Sequence, residues 1–279
     1  MDFSGTDIRK PLWILHVAYH GGAYHGWQRQ KADSNTVQET LETILQRITG
    51  ETDLCLTGAG RTDRGVHALD MLASFRSGTE IPAEIFLEKL SRQSPHSLRI
   101  LSLERQPDVV KGNAHTMALG KAYIYVIHTG PHALFLKDLT WSWPEESLNF
   151  QNVMKILSML RGRHDFQMFV GKKKTSPAGA SSVRTLYRAE WISRGPVHLL
   201  YITGDGLLYK MVRKIAGCCH EAACGRLTPE MFRSMLADPE AAGKLCETAA
   251  PACGLYLKKV FVKENEWQRD MPGEIPFFL

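Results

Sequence analysis

Segments with the hydrophobic periodicity of strands and of helices alternate along the chain, and this alternation limits the possible folds more than any other feature. The run LWILHVAY (12–19) predicts a strand, and the glycine-rich GGAYHGWQRQ (21–30) predicts the loop after it. The apolar residues of TVQETLETILQRITG (36–50) recur about every 3.6 residues, which predicts a helix capped by Asn35 and ended by Gly50. This order of elements is typical of the α+β class.

The second half of the chain repeats the same order of elements. An amphipathic helix is predicted to end at Gly162, and a long helix is predicted over LLYKMVRKIAGCCHEAACG (207–225). Two strand-like runs that meet at SRGP (193–196) predict an antiparallel pair. We therefore expect two similar lobes of mixed antiparallel sheet flanked by helices, residues 1–110 and 111–279, around a cleft.

The composition is that of a globular protein. The 279 residues are 44% hydrophobic and 23% charged, and no run approaches the roughly 18 apolar residues of a membrane helix. The N-terminus has no apolar run after its basic pair, so we expect no signal peptide and a soluble, cytoplasmic protein. Six cysteines spread thinly over the chain predict reduced thiols, and CCHEAAC (218–224), in which His220 and Cys224 would share a helical face, predicts buried cysteines and no metal site.

The basic residues are more informative than the modest net charge of +5. They form three groups, and three groups around one candidate site favour a polyanionic partner. The groups are Lys172, Lys173 and Lys174 in a loop-like stretch; Lys210, Arg213 and Lys214 on one side of a helix; and Arg61 with Arg64 beside Asp63.

The stretch GAGRTDRGVHALD (58–70) permits three interpretations from its residues alone. Gly60 and Gly65 have the spacing of a phosphate-binding loop, but Val66 and His67 stand where that loop needs lysine and serine or threonine. A simple turn between strands is the second interpretation, since aspartate and threonine commonly bond to their own backbone. The third is a catalytic aspartate that neighbouring arginines orient and that glycines make accessible.

Seven segments in order, from about residue 16 to residue 262, resemble motifs of the bacterial TruA family of tRNA pseudouridine synthases. GRTDRGVHA is similar to that family's catalytic motif GRTDAGVHA. The other segments are YHGGAYHGWQRQ, TVQETLETIL, GKAYIYVI, GRHDFQMF, MVRKIAG and GLYLKKVFV. The resemblance implies the pseudouridine synthase fold, with a basic cleft between the lobes, and an enzyme that isomerises uridine to pseudouridine without a metal or cofactor.

The resemblance also implies roles for individual residues. Asp63 would be the nucleophile, which attacks either C1′ of the ribose or C6 of the uracil ring. Since a stacked uridine is out of reach, the nucleotide must flip out of its stem, and Arg61 would hold it or fill the vacated space. Tyr123 would stack on the base, Arg213 would pair with Asp63, and Leu255 would form part of the apolar floor.

The expected substrate is the anticodon stem-loop of tRNA, at positions 38 to 40, gripped by a homodimer. Substrate contacts are expected from basic and motif residues, namely Arg64, His67, Lys172, Lys173, Lys174, Lys210 and Lys214.

Several positions depart from the family pattern. Arg64 replaces a small alanine directly after the presumed nucleophile, His20 replaces an aspartate, and GNAH (112–115) lacks an aromatic residue and an arginine. Two alternatives therefore remain: a divergent synthase that modifies other uridines or another RNA, and a catalytically silent RNA-binding protein on the same fold.

Overall fold

The computed structural model describes residues 10–30, 35–107, 110–131, 134–171, 181–238 and 248–273. The strands are β1 (Leu12–Tyr19), β2 (Thr57–Gly58), β3 (His67–Arg76), β4 (Leu98–Arg105), β5 (Gly120–Thr129), β6 (Trp141–Trp143), β7 (Gly162–Asp165), β8 (Val183–Arg194), β9 (Val197–Gly204) and β10 (Leu255–Phe261). The α-helices are α1 (Val37–Thr49), α2 (Ala83–Gln93), α3 (Ala114–Met117), α4 (Phe150–Leu160), α5 (Met211–Ala223) and α6 (Pro229–Ala237). The predicted α+β class is confirmed.

The chain divides into two compact units. The first comprises Met1–Leu119 with Leu257–Val262, and the second comprises Gly120–Tyr256 with Lys263–Leu279. The division into lobes at residue 110 stays a prediction.

The first unit is built on β1, which pairs antiparallel with β3 on one side and with β4 on the other. β2 and β10 also lie beside β3. Trp13 of β1 is buried, stacks on Phe75 of β3 and meets the edge of Phe86 of α2 at a centroid distance of 5.3 Å. Burial of these three rings packs α2 on the sheet, because each large aromatic side chain removes an extensive apolar area from water.

Helix α1 begins one residue later than the sequence predicts. Thr36, and not Asn35, is the N-cap: its backbone is extended and its hydroxyl accepts a hydrogen bond from the Glu39 amide at 3.3 Å. Asn35 instead donates from its side chain to the Ala23 carbonyl. The predicted end is confirmed, since Gly50 has the left-handed conformation (φ 76°) that commonly ends a helix.

The second unit is built on the order β5-β9-β8-β7, with β6 parallel to β5 and the other pairs antiparallel. Every residue of β9 is buried, as expected of a strand that is covered on both faces. The antiparallel pair predicted around residues 193–196 is confirmed, because β8 and β9 meet at Arg194 and Val197.

Two predicted helix boundaries in this unit are wrong. The long helix begins at Met211 and not at Leu207, because Lys210 has a left-handed backbone (φ 61°) that cannot continue a right-handed helix. Helix α4 ends at Leu160, and Gly162 (φ 101°) is already the first residue of β7. A glycine at positive φ can start a new element as readily as it ends one.

Candidate functional site

Asp63 lies at the start of a tight turn that leads into β3. The Val66 amide donates to the Asp63 carbonyl at 3.1 Å, which places Arg64 and Gly65 at the central positions. Gly65 has φ 81°, the positive value that the second central position of a type II turn requires. The sequence D-R-G-V therefore fixes the backbone at Asp63 through local geometry.

The glycine-rich loop after β1 packs directly on this turn. A Cβ atom at Gly21 would lie 2.1 Å from the Val66 carbonyl oxygen, and one at Gly26 would lie 2.8 Å from the Thr62 carbonyl oxygen. Gly26 also has φ 96°, which side-chain-bearing residues rarely adopt. Both glycines are thus required for the two backbones to approach, and the loop restrains the Asp63 turn from one side.

Hydrogen bonds complete this restraint around Thr62. The Thr62 carbonyl accepts from the Trp27 amide at 3.1 Å, and its hydroxyl lies 2.8 Å from the Tyr19 hydroxyl. Tyr19, Trp27 and Thr62 are all buried. Thr62, the residue before Asp63, is therefore held by both its backbone and its side chain. This restraint fixes the backbone position from which the Asp63 side chain projects.

The side chains of the turn differ in their exposure to solvent. Arg61 and Arg64 are exposed and Asp63 is partly exposed, so the turn presents two cations and a carboxylate to solvent. His67 is buried, and its Nδ1 accepts a hydrogen bond from the Gly21 amide at 3.1 Å, which leaves the proton on Nε2 when the ring is neutral. This environment favours a positioning role for His67 over a direct substrate contact.

In the second unit, one segment joins β5 and α5 to the start of β10. The Tyr125 hydroxyl donates to the Pro251 carbonyl at 2.7 Å, and a Cβ at Gly254 would lie 2.7 Å from the Tyr125 ring. Arg213 Nε donates to the Ala250 carbonyl at 2.7 Å, and the Ala250 amide donates back to the Arg213 carbonyl. Of the predicted site residues, Arg213 of α5 is thereby tied to the segment that precedes β10.

Two more predicted residues lie on β5 and β10 of the sheet. Tyr123 lies on β5, pairs with Ile202 of β9 and is 9% exposed, and Leu255 is the buried first residue of β10. Sequence reasoning missed Tyr125, two residues along the same face of β5 from Tyr123. Burial raises the pKa of Tyr125 well above its ordinary value, so its hydroxyl remains a neutral donor. The alternation of KAYIYV could have identified this second tyrosine.

The two lysines predicted on α5 have opposite environments. Lys214 is buried, and its ammonium donates to the carbonyls of Met168 and Val170 at 3.2 and 2.9 Å. Lys210 is only partly buried and lies over the Tyr209 ring at 5.3 Å. An ammonium that is buried against carbonyls is poorly placed to bind phosphate, so the structure favours a structural role for Lys214.

The remaining lysines of the predicted set, Lys172 to Lys174, lie outside the described residues. Gly171, directly before them, donates from its amide to the Tyr209 carbonyl at 2.9 Å. A Cβ at Gly171 would lie 3.2 Å from Lys210 Cβ. Gly171, the last described residue before the run, therefore lies next to Lys210.

The cysteines do not all conform to the prediction of reduced thiols. Cys55, Cys219, Cys224 and Cys253 are free, but Cys218 is disulfide-bonded. The prediction is wrong at this residue, because spacing along the sequence does not reveal which thiols the fold brings together.

Among the described residues, no helix is long and apolar enough to cross a membrane.

Comparison with known proteins identifies the class to which this fold and turn belong. A family model described as tRNA pseudouridine synthase matches residues 15–111 and 156–261, which is well over half of the chain. The chain therefore belongs to the tRNA pseudouridine synthase family, a family of isomerases. The matched segments include the Asp63 turn, α5 and β10, whereas Tyr123 lies between them.

The similar curated proteins define the TruA type within this family. A tRNA pseudouridine synthase A from Ruminiclostridium cellulolyticum is 34% identical over 250 residues, covering 88% of this chain and 98% of the relative. One from Acetivibrio thermocellus is also 34% identical with the same coverage. A tRNA pseudouridine synthase A 1 from Desulfotalea psychrophila is 36% identical over 254 residues, covering 88% and 98%.

Proposed function

We propose that this protein converts uridine to pseudouridine in the anticodon stem-loop of tRNA, at positions 38 to 40, with Asp63 as the nucleophile. Membership of the tRNA pseudouridine synthase family supports the reaction class. The observation that carries the assignment of Asp63 is its turn: a partly exposed carboxylate on a backbone held by Gly21 and Gly26, between two exposed arginines.

The reaction needs a carboxylate that is both accessible and rigid. In the proposed reaction Asp63 forms a covalent bond to C1′ or C6 of the target nucleotide, the glycosidic N–C bond breaks, and the uracil rotates in the site. A C–C bond then forms between C5 and C1′, the bond to Asp63 is released, C5 loses a proton and N1 gains one, so that the product is an isomer of the substrate. A backbone that is fixed before the substrate arrives lowers the entropic cost of reaching the reacting geometry.

The other predicted residues have roles that we propose from the family resemblance. Arg61 holds the flipped nucleotide or fills its place in the stem, since its guanidinium is exposed next to the nucleophile. Tyr123 stacks on the base and Leu255 contributes to the apolar floor. The pairing of Arg213 with the Asp63 carboxylate stays a prediction from the family resemblance.

For RNA binding we propose Arg64, Lys210 and the run Lys172 to Lys174, and we leave Lys214 out because its ammonium is buried. The exposed Arg64 adds a phosphate-binding group beside the nucleophile. We further propose that the protein acts as a homodimer in the cytoplasm, as the family resemblance implies.

Substitution of Asp63 tests the assignment of the nucleophile. Asp63→Asn and Asp63→Ala are expected to lower turnover by about 10⁴-fold or more, in the range that loss of a nucleophile costs other enzymes, without a change in stability. The measurement is tritium release from tRNA labelled at C5 of uridine, together with thermal unfolding. The matched control is Asp53→Asn, whose carboxylate is 73% exposed and lies 3.9 Å from the Lys10 ammonium, and it should keep full activity. Turnover that survives in either Asp63 variant contradicts the assignment.

A second candidate is the same chemistry at other uridines. It rests on Arg64, an exposed arginine at a central position of the nucleophile's turn, and on His20, an exposed side chain 4.7 Å from the His67 ring. Both alter the surface that meets the nucleotides flanking the target, and Arg64→Ala is the variant that isolates this effect.

A further inference from the structure

Three side chains with metal-binding atoms converge at the end of α5, outside the proposed catalytic residues. Glu145, His220 and Cys224 each offer one ligand atom, and these atoms all lie within 4.8 Å of one another. His220 comes from the last turn of α5, Cys224 is the C-cap residue directly after it, and Glu145 comes from the loop between β6 and α4. The sequence shows only the helical pair, and the fold supplies the third group.

Two of the three separations are close to those around a tetrahedral ion, and the third, between Glu145 and Cys224, is within 4.8 Å. His220 Nε2 lies 3.6 Å from Cys224 Sγ and 2.9 Å from Glu145 Oε1. With Zn–N near 2.05 Å, Zn–S near 2.3 Å and Zn–O near 2.0 Å, tetrahedral angles require separations of about 3.6 Å for N···S and about 3.3 Å for N···O. The first separation is already met, and the second needs a movement of only a few tenths of an ångström.

The carboxylate of Glu145 has an unsatisfied atom at this point. Oε2 is buried and has no hydrogen-bond partner among the described residues. A buried carboxylate oxygen without a partner costs free energy, which a bound cation would relieve. This observation is independent of the convergence of the three side chains.

The surroundings hold the imidazole as a metal ligand requires. The His220 ring lies against Trp141 and Trp143, with centroid distances of 4.9 Å to each, and this packing limits its rotation. On the far side of the ring, Nδ1 faces Glu221 Oε1 at 3.7 Å, a carboxylate that is held in place by two hydrogen bonds from Arg226. Metal-binding histidines in proteins commonly have such a partner.

We infer that Glu145, His220 and Cys224 form a binding site for a divalent transition-metal ion of the zinc type. One oxygen, one nitrogen and one sulfur ligand suit Zn²⁺ better than Mg²⁺ or Ca²⁺, which prefer oxygen ligands alone. The ion connects the loop before α4 to the end of α5. The same two elements are already joined by a hydrogen bond from the Asn149 amide to the Ala223 carbonyl at 2.7 Å. Its role is to stabilise the second unit, and it takes no part in the isomerisation.

Zinc titration of the chelator-treated full-length protein tests this inference. We expect one Zn²⁺ per chain in competition with a chromophoric chelator, a higher melting temperature with Zn²⁺ but not with Mg²⁺, and a thiolate-to-metal charge-transfer band with Co²⁺. Cys224→Ser and Glu145→Gln should lose stoichiometric binding and the melting shift, and Cys224→Ser should also lose the Co²⁺ band. Glu221→Gln should bind about 10–100-fold more weakly.

The control is Cys55→Ser, which removes an exposed free thiol elsewhere and should leave binding unchanged. Glu145→Gln removes the carboxylate but keeps the size of the side chain, and thermal unfolding of the metal-free variant separates a loss of the ligand from a loss of the fold. Absence of binding in the wild type overturns the inference, as does unchanged binding in Cys224→Ser. Either result leaves the proposed isomerase activity untouched, because that activity is assayed without added metal.

Discussion

The Asp63 turn and the start of α5 present basic residues in opposite ways. Around Asp63, the close contacts of two glycines and the hydrogen bonds of Thr62 hold the backbone in place. The side chains of Arg61 and Arg64 are exposed to solvent. At α5, the ammonium of Lys214 turns inward and bonds to the carbonyls of the 167–171 segment. The comparison shows that basic residues close in the sequence can differ in whether their charge reaches solvent, and that a charge pattern in a sequence does not reveal this difference.

The largest effect on stability is expected at Gly21, because the restraint of the Asp63 turn depends on the close contact between Gly21 and the Val66 carbonyl. Gly21→Ala should destabilise the protein by about 2–3 kcal/mol, since a Cβ there meets the Val66 carbonyl and forces the loop off the Asp63 turn. Urea unfolding measures the loss, and activity should fall with it. Gly78→Ala is the control, because nothing lies within 4 Å of a Cβ at that site. If both variants are equally stable, the contact does not hold the turn.

Lys214→Met tests the second side of the comparison. The change keeps the length of the side chain but leaves the Met168 and Val170 carbonyls without their donor, so we expect a loss of about 1–3 kcal/mol in the free energy of unfolding. Lys210→Met, at a partly exposed site, should cost less than about 0.5 kcal/mol. Equal stability of the two variants would contradict the claim that Lys214 stabilises the fold from a buried site whereas Lys210 does not.

On tRNA binding the order of the two variants should be reversed, so that Lys210→Met has the larger effect and Lys214→Met the smaller. Lys210→Met should reduce the slope of log affinity against log salt concentration by about 1, as loss of one phosphate contact does. Filter binding or fluorescence anisotropy across a salt series gives this slope. Lys89→Met, at an exposed position on α2, should leave the slope unchanged. An unaltered slope in Lys210→Met would exclude this residue from the RNA-binding set.

The parts predictable from sequence are those decided by neighbours along the chain. The helix end at Gly50, the β8–β9 pair and the D-R-G-V motif each follow from local residue types. The contact of Gly21 with Val66 and the inward direction of Lys214 depend on distant partners. The contact between Glu145 and His220 also depends on residues far apart in the sequence, and hydrophobic periodicity does not predict such a contact. The left-handed Lys210 is a local feature, yet its residue type gives no sign of it.

The smallest effect is expected from the His16–Asp70 pair of the first unit, whose atoms lie 2.6 Å apart. The hydrogen bond to Asp70 holds the pKa of His16 above its ordinary value. A raised pKa stabilises the fold below the unfolded value and loses this contribution as the pH rises through the folded value. His16→Gln should therefore cost more stability at about pH 5.5 than at about pH 8.5, on either side of the ordinary imidazole pKa. Urea unfolding at both values checks this, and a pH-independent cost contradicts it.

The most direct test of the central claim is a position-resolved map of pseudouridine in unmodified tRNA after incubation with the purified protein. We expect product at positions 38 to 40 with the wild type and none with Asp63→Asn, although the variant still binds tRNA. Product at other uridines would retain the chemistry but change the target, in keeping with Arg64 beside the nucleophile. Binding of tRNA by the wild type without any pseudouridine would contradict the account and leave a silent RNA-binding protein on this fold.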